Sequence, residues 1–355
     1  MVSKMNIEGK TYTSNNVKLL KHMDRLTEIQ QKKSARPILL HISPINACNL
    51  TCSFCCFANR DLTDRLSLEQ MKECVSQFKE LGLLSVEFTG GGEPTLHPQF
   101  NEIVEYCHSI GLAIGLCTNG ARLNKVENWE HFSWVRLGMY GFYEGYQYDL
   151  KLLRDKDVAI SAAYVWDEAW VSSENPNVTG LWQSPKKKRK TRVLQESSAF
   201  FEMLTWVETE EIPTRIAFNA IKDISLVKQD IETIREQLRE YESIHGTLKY
   251  AFLSDFNFKG DRRNDHCYMH LVKPFLFTDG NVYACPSAEL SVENHFNVNE
   301  EFKVCSWDTV NEIYTGMAKE GLGFQRHHSC RFCKYAMQNE LIDDIMTPTI
   351  HNEFT

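Results

Sequence analysis

The sequence predicts an α/β protein, in which a partial (β/α)6 parallel barrel precedes a small C-terminal module built from a β-hairpin and helix. Short apolar runs typical of buried strands alternate with amphipathic stretches typical of helices, and six such units follow from Ile38 onward. Alternating strands and helices form right-handed βαβ units and therefore a parallel sheet. Beyond Tyr250 the long helical patterns give way to short segments that contain five cysteines.

Local signals predict the individual elements. An amphipathic helix is expected at about residues 14–33, packed on the outside of the barrel. Residues 38–43 form the first strand, and Ser67 and Gln70 form a capping box that begins a helix ending at Gly82. Later strands are predicted at 85–88, 113–117, 134–137, 158–164 and 215–219, helices at 98–110, 125–131, 148–153, 194–207 and 225–241, and a hairpin at 273–284.

These elements suggest four regions along the chain. Residues 1–36 are an N-terminal helical extension, 37–245 the barrel, 246–340 the auxiliary module and 341–355 a tail. Within the barrel, residues 167–197 form a long polar insertion that contains the basic run 186–192. We expect this run to be a solvated or lid-like loop, and contact with an anionic or nucleic-acid substrate is the alternative.

Composition limits the possible classes of function. The chain has 355 residues, 43% of them hydrophobic, and a net charge of −8, which argues against a surface devoted to nucleic acid. No apolar run is long enough to cross a membrane, and residues 1–6 do not resemble a signal peptide. Twelve cysteines are then better explained by metal or cluster binding in a reducing compartment than by disulfides, so we expect a cytoplasmic protein without membrane contact.

Three cysteines follow the first predicted strand in one short loop. Cys48, Cys52 and Cys55 have the spacing C-x3-C-x2-C. A structural zinc ion takes four protein ligands, whereas a [4Fe-4S] cluster held by three cysteines leaves one iron open to another ligand. The spacing therefore favours an open cluster, with a zinc loop as the alternative.

A glycine-rich loop follows the second predicted strand. Gly90, Gly91 and Gly92 allow a ligand to lie against bare main chain, and the carboxylate of Glu93 can accept from an ammonium group. Both loops are expected at the carboxyl ends of parallel strands, where the chemistry of parallel barrels takes place.

Together these two motifs resemble the radical S-adenosylmethionine (SAM) superfamily. The resemblance implies that Cys48, Cys52 and Cys55 bind a catalytic [4Fe-4S] cluster with Phe54 in the aromatic position of the loop. It implies that the free iron chelates SAM, that one electron cleaves SAM to methionine and a 5′-deoxyadenosyl radical, and that this radical takes a hydrogen atom from the substrate. The cofactor-binding residues implied are Phe54, Gly90, Gly91, Gly92, Glu93, Thr118, Asn119 and Ser161.

The chain departs from the family pattern after the fourth strand. Relatives often have a small hydroxyl residue and an acid after the arginine at this place, where this chain has Gly138 and Tyr140 after Arg136. No SAM contact is therefore expected from Gly138 or Tyr140.

A second set of cysteines lies in the C-terminal module. Cys267, Cys285, Cys330 and Cys333 supply four thiolates, which suit either zinc or a fully ligated [4Fe-4S] cluster. The spacing G-x4-C from Gly280 to Cys285 and the final C-x2-C pair resemble the twitch module, a short version of the SPASM extension of radical SAM enzymes. This resemblance implies one auxiliary cluster. The other cysteines are expected to pack as apolar side chains: Cys56, Cys74, Cys107, Cys117 and Cys305.

The resemblance implies a radical SAM enzyme but does not fix its substrate. We expect dehydrogenation or rearrangement of a small polar or nucleotide-type substrate, with the auxiliary cluster transferring electrons. A reductase such as flavodoxin or ferredoxin is the expected partner, and the 186–192 loop makes nucleic acid possible. The alternatives are modification of a nucleic-acid base or a peptide, or a non-catalytic iron–sulfur or zinc protein.

Overall fold

A computed structural model of the chain describes residues 6–7, 10–11, 16–50, 52, 55, 57, 60–144, 147–166, 197–218, 224–253, 266–286, 302–320, 324–325 and 335–347. The strands in these ranges are β1 Asn6–Ile7, β2 Lys10–Thr11, β3 Leu39–Ile42, β4 Ser85–Phe88, β5 Ala113–Thr118, β6 Phe132–Gly138, β7 Ala159–Trp166, β8 Thr214–Phe218, β9 Ala251–Leu253, β10 His266–Cys267, β11 Phe275–Leu276, β12 Asn281–Tyr283, β13 Lys303–Ser306 and β14 Phe324–Gln325.

The α-helices in the same ranges are α1 Asn16–Leu20, α2 Met23–Gln30, α3 Leu68–Glu80, α4 Phe100–Ser109, α5 Lys151–Arg154, α6 Ser197–Thr209, α7 Ile224–His245, α8 Met269–Val272, α9 Val310–Glu320 and α10 Ala336–Met346. Short 3-10 helices occur at Pro94–Leu96, Leu123–Lys125, Trp129–His131 and Met139–Glu144. None of the helices described here is long and apolar enough to cross a membrane.

A ten-stranded sheet in the order β13-β12-β11-β3-β4-β5-β6-β7-β8-β9 forms the centre of the fold. Neighbouring strands from β3 to β9 are parallel, which confirms the predicted α/β fold with a partial parallel barrel. The predicted C-terminal hairpin is confirmed by the antiparallel pair β11 and β12. The four predicted regions of the chain stay a prediction.

One connection goes beyond the expected pattern, because the C-terminal hairpin continues the barrel sheet. β11 pairs with β3 in parallel, with Phe275 opposite His41. The N–H groups of His41 and Ser43 donate to Pro274 O at 3.0 Å and to Leu276 O at 2.9 Å. The segment after Tyr250 therefore supplies part of the barrel wall.

Two predicted helices differ from the structure. Instead of a helix at 125–131 there are two 3-10 turns, separated by Asn128 in the left-handed region at φ 51°. A side chain in that conformation interrupts α-helical hydrogen bonding. The N-terminal helix is split into α1 and α2 around His22, and only α2 is anchored by a buried arginine, Arg25, which donates to Gly82 O at 2.6 Å.

Strand alternation divides the barrel into an apolar outer layer and a polar lumen. Leu40, Val86, Ile114 and Val135 are at most 1% exposed and form the layer under the helices. The residues between them face the other way, and the strand pairing places the following side chains on the lumen face: His41, Glu87, Cys117, Arg136, Ser161 and Arg215.

Candidate active site

The cysteine loop follows directly after β3. Cys48, Cys52 and Cys55 are not part of a disulfide and are partly buried. The Leu50 N–H donates to Cys48 Sγ at 3.4 Å, and burial raises the pKa of the Cys48 thiol despite that bond. Hydrogen bonds to cysteine sulfur tune iron–sulfur sites, so this donor fits a cluster loop. Phe54 lies outside the described residues.

Arg60 holds the loop in shape, a role that no spacing in the sequence indicated. Its Nε donates to Asn46 O and its Nη1 donates to Phe57 O, both at 2.6 Å. The same Nη1 donates to Cys55 Sγ at 3.4 Å. One guanidinium thus ties both ends of the cysteine loop together and places a positive charge beside a predicted ligand.

The glycine loop lies against the cysteine loop. The Gly91 N–H donates to Ser43 Oγ at 2.7 Å, and the Gly92 N–H donates to Ile45 O at 2.9 Å. A Cβ on Gly92 would collide with the carbonyl oxygen of Ala47. Glycine is required here because two main chains approach closely.

Glu93 connects the glycine loop to the end of β5. Its buried carboxylate accepts from Thr118 Oγ1 at 2.6 Å and from the Asn119 N–H at 2.7 Å. It also accepts from the N–H and Oγ1 of Thr95 at 3.2 and 2.7 Å. Burial raises the pKa of Glu93, and these hydrogen bonds act in the opposite direction. The carboxylate is thus used mainly to position the glycine loop and the loop after β5 relative to each other.

Asn119 completes the connection back to the cysteines. Its Nδ2 donates to Asn49 Oδ1 at 2.7 Å and lies 4.0 Å from Cys48 Sγ. The structure therefore brings together the cysteine, glycine and Thr118–Asn119 loops, which are far apart in sequence. Ser161 stands apart from this network: it lies opposite Arg136 on the lumen face of β7, 3.5 Å from Val135 O.

Charged side chains fill the lumen beneath these loops. His41 Nδ1 lies 3.8 Å from Glu87 Oε1, and the Cys117 thiol donates to the same oxygen at 3.4 Å. Burial opposes ionisation of Glu87, but His41, Lys273 and Arg136 outweigh it and lower the pKa of Glu87 to about 2. The interpretation of Cys117 as an apolar packing residue is wrong, because its strand position turns it toward this polar lumen.

The second cysteine set is only partly within the described residues. Cys267 lies in β10 and Cys285 follows β12, both partly buried, whereas Cys330 and Cys333 are outside the described ranges. Cys305 is 5% exposed, and burial raises its pKa to about 12, as expected for a packed thiol. In the ranges that the structure describes, no three Cys, His, Asp or Glu side chains could hold a single metal ion. The auxiliary cluster stays a prediction.

The donor set of the first loop fits a cluster with one open iron. Three thiols come from one loop, the Cys48 and Cys55 sulfurs accept hydrogen bonds, and the glycine loop packs against the same segment. Residues 42–143, which span this arrangement, match the family model described as the radical SAM superfamily. This segment belongs to the radical SAM superfamily.

Relatives of this radical SAM domain carry several names. A S-adenosylmethionine-dependent nucleotide dehydratase of Flammeovirga pacifica is 33% identical over 101 residues, covering 26% of this chain and 34% of that protein. The mycofactocin maturase MftC of Mycobacterium tuberculosis is 34% identical over 101 residues, covering 28% of this chain and 25% of that protein. The chain therefore matches about a third or less of these relatives.

The fold as a whole is similar to that of a solved structure. SuiB of Streptococcus suis, bound to the precursor peptide SuiA, superposes with a TM-score of 0.51 at 15% identity, covering 90% of this chain and 84% of that one. Family membership confirms the expected enzyme class and its cofactors, SAM and a [4Fe-4S] cluster. The reaction and substrate of the whole chain are matters of proposal.

Proposed function

We propose that the chain cleaves SAM reductively and abstracts a hydrogen atom from a small polar or nucleotide-type substrate held in the barrel lumen. The observation that carries this proposal is the hydrogen-bonded junction of three loops through Glu93, Asn119 and Cys48. It joins the implied cluster ligands to the implied SAM-binding main chain at the carboxyl ends of β3, β4 and β5. This is the functional face of a parallel barrel.

A cluster held by Cys48, Cys52 and Cys55 would supply the one electron needed to cleave SAM to methionine and a hydrogen-abstracting 5′-deoxyadenosyl radical. The chain's own residues hold and orient the reactants. Arg60 fixes the cysteine loop, Glu93 fixes the glycine loop, and buried apolar residues such as Phe88 and Leu116 close the outer side of the barrel to water. Rigid supporting contacts of this kind keep reacting groups within the short distance that an atom transfer needs.

The relatives' names support a nucleotide-type substrate. The dehydratase acts on a nucleotide by name, and a GTP 3′,8-cyclase of Xanthomonas axonopodis is 33% identical over 108 residues. The polar lumen agrees with a substrate of this kind. Modification of a nucleic-acid base or a peptide is the alternative function. The basic run 186–192, which favours a nucleic-acid substrate, lies outside the described residues.

The predicted auxiliary cluster would be held by Cys267, Cys285, Cys330 and Cys333. With all four positions filled by protein thiolates, such a cluster transfers electrons and does not bind substrate. Its place near the lumen is supported by Cys285, which is close enough to Lys273 to influence its pKa. A flavodoxin or ferredoxin reductase is the proposed source of electrons for the first cluster.

The test is anaerobic reconstitution of the full-length protein followed by a SAM cleavage assay. The wild type should bind about eight irons per chain and release 5′-deoxyadenosine under reduction. A Cys48→Ala, Cys52→Ala, Cys55→Ala variant should keep about four irons and release none. Cys305→Ala, the matched control, should behave as the wild type. Equal 5′-deoxyadenosine from the wild type and the triple variant would reject the proposed function.

A further inference from the structure

Three cationic side chains converge in the lumen from different strands. Arg136 is on β6 and Arg215 on β8, both on the lumen face according to the register. Lys273 lies two residues before Phe275, the first residue of β11, which pairs with His41. All three remain partly accessible to solvent, as expected for side chains that line an open lumen.

The protein compensates this charge only in part. Among the lumen-facing positions of the described strands, Glu87 is the single carboxylate, and its ion pair within 4.0 Å is with His41. The structure describes no carboxylate within 4.0 Å of Arg136, Arg215 or Lys273. Counting Glu87 as ionised and leaving His41 out of the count, the three cations leave a surplus of two positive charges, and buried cations without paired anions are costly.

Arg215 shows most directly that a partner is missing. Its Nε is buried and has no hydrogen-bond partner among the described residues. Buried polar atoms are nearly always paired in folded proteins, so an orphaned guanidinium donor points to a ligand. Burial and the neighbouring Arg136 lower the pKa of Arg215, so the surroundings disfavour its charge. Burial likewise lowers the pKa of Lys273, against the effect of Glu87.

The cationic side chains lie near one described cysteine of each set, Cys52 and Cys285. Tyr140 is influenced electrostatically by both Cys52 and Arg215, and its ring packs against Gly138. On the other side, Lys273 lies over the Tyr335 ring at 4.9 Å and is influenced by Cys285. A group bound by these cations would hold a substrate close to the cysteine loop and to Cys285.

We propose that Arg136, Arg215 and Lys273 form an anion site that binds a phosphate group of the substrate. This inference rests on the proposed function and names the substrate class as phosphorylated. A phosphate monoester carries a charge of about −1.5 to −2 at pH 7, which matches the surplus in the lumen, whereas one carboxylate carries half as much. Arginine presents a planar fork of donors that suits phosphate oxygens, and lysine adds a point charge.

The test is binding of defined probes to the reconstituted full-length protein with SAM present, measured by isothermal titration calorimetry. The probes are inorganic phosphate, each nucleoside with its 5′-monophosphate, and acetate as a carboxylate. Phosphorylated probes should bind, and at least one 5′-monophosphate should bind about tenfold or more tightly than its nucleoside. Arg215→Gln and Lys273→Met should each weaken that binding about tenfold or more.

Arg235→Gln, at a surface position of α7 paired with Glu232, is the matched control and should bind like the wild type. Arg215→Lys should restore part of the affinity if charge is what matters. Equal binding of nucleosides and nucleotides, binding of acetate alone, or no effect of either lumen variant would overturn the anion site. Iron content and circular dichroism show whether each variant is folded. If Arg215→Gln or Lys273→Met is misfolded, the anion site is judged from the binding measured with the other variant.

The proposed radical SAM reaction and the proposed anion site can be refuted independently of each other. A wild type that cleaves SAM but binds phosphorylated probes independently of Arg215 refutes only the anion site. A wild type whose phosphate binding depends on Arg215 but which releases no 5′-deoxyadenosine refutes only the radical SAM reaction.

Discussion

At the scale of single residues, Glu87 shows how neighbours set the ionisation of a buried group. It lies on the lumen face of β4 among His41, Lys273 and Arg136, and only 13% of its side chain is exposed. The surrounding positive charge outweighs the cost of burying the carboxylate, which lowers its pKa from 4.5 to about 2. Its ionised form is therefore more favourable in the folded chain than in the unfolded chain.

Protonation of Glu87 should lower the free energy of unfolding at acid pH. A carboxylate with a lowered folded-state pKa stabilises the protein fully above its unfolded value, and the effect is lost as pH falls from 4.5 toward 2. We expect the free energy of unfolding of the cluster-free full-length chain to lose on the order of 3 kcal/mol in this window through Glu87. Denaturant titrations at several pH values should show that Glu87→Gln lacks this part of the loss.

Glu69→Gln, at an exposed position of α3, is the control for removing a carboxylate elsewhere. If the difference in unfolding free energy between wild type and Glu87→Gln stays constant from pH 6 to pH 3, the lumen charges do not stabilise the ionised form.

At the scale of elements, α3 shows where local sequence is sufficient. Ser67 Oγ accepts from the Gln70 N–H at 3.1 Å, and Gln70 Oε1 accepts from the Ser67 N–H at 2.8 Å, so the predicted capping box is present. The predicted inward residues are all buried: Met71, Cys74, Val75 and Phe78. The helix also contacts α9, where Gln77 Oε1 accepts from the Asn311 N–H at 3.0 Å.

Removal of the cap should weaken the helix by a known amount. We expect Ser67→Ala to lower the free energy of unfolding by about 1 kcal/mol, because one N-terminal N–H loses its acceptor. Ser67→Thr keeps the hydroxyl and should stay close to the wild type. Chemical denaturation measures both variants, and equal stability of Ser67→Ala and wild type would show that the box contributes nothing.

At the scale of the whole molecule, the C-terminal segment completes the barrel. β11 covers the edge of β3, and its Phe275 and Leu276 are fully buried. The same segment places Lys273 in the lumen beside Glu87. The barrel wall, the lumen charge and the second cysteine set therefore depend on one stretch of chain.

A chain shortened to residues 1–253 should lose cooperative folding. Truncation would expose the hydrogen-bonding edge of β3 and remove buried apolar side chains worth about 1.5–3 kcal/mol each. We expect aggregation, or a broad thermal transition in circular dichroism. A chain ending at Thr347 is the control and should unfold like the full-length protein. A sharp transition of the 1–253 chain at the wild-type temperature would mean that the barrel is independent of β11.

Features that depend only on neighbouring residues could be predicted from the amino-acid sequence. The spacing of Cys48, Cys52 and Cys55, the three glycines before Glu93 and the capping box at Ser67 act over a few residues, so their local shape follows from residue type. The alternation of strands and helices predicted the parallel sheet for the same reason. The helix predicted at 125–131 failed where the single left-handed residue Asn128 overrode the pattern.

Contacts between residues distant in sequence became visible in the folded chain and could not be predicted beforehand. Glu93 joins Asn119, Cys117 turns into the lumen, and Arg136, Arg215 and Lys273 converge, because strand register sets which side chains share a face. Register depends on pairing between segments separated by tens of residues, and a shift of one position would reverse every side chain. The charge of the lumen is therefore a property of the assembled barrel that no single stretch of the sequence displays.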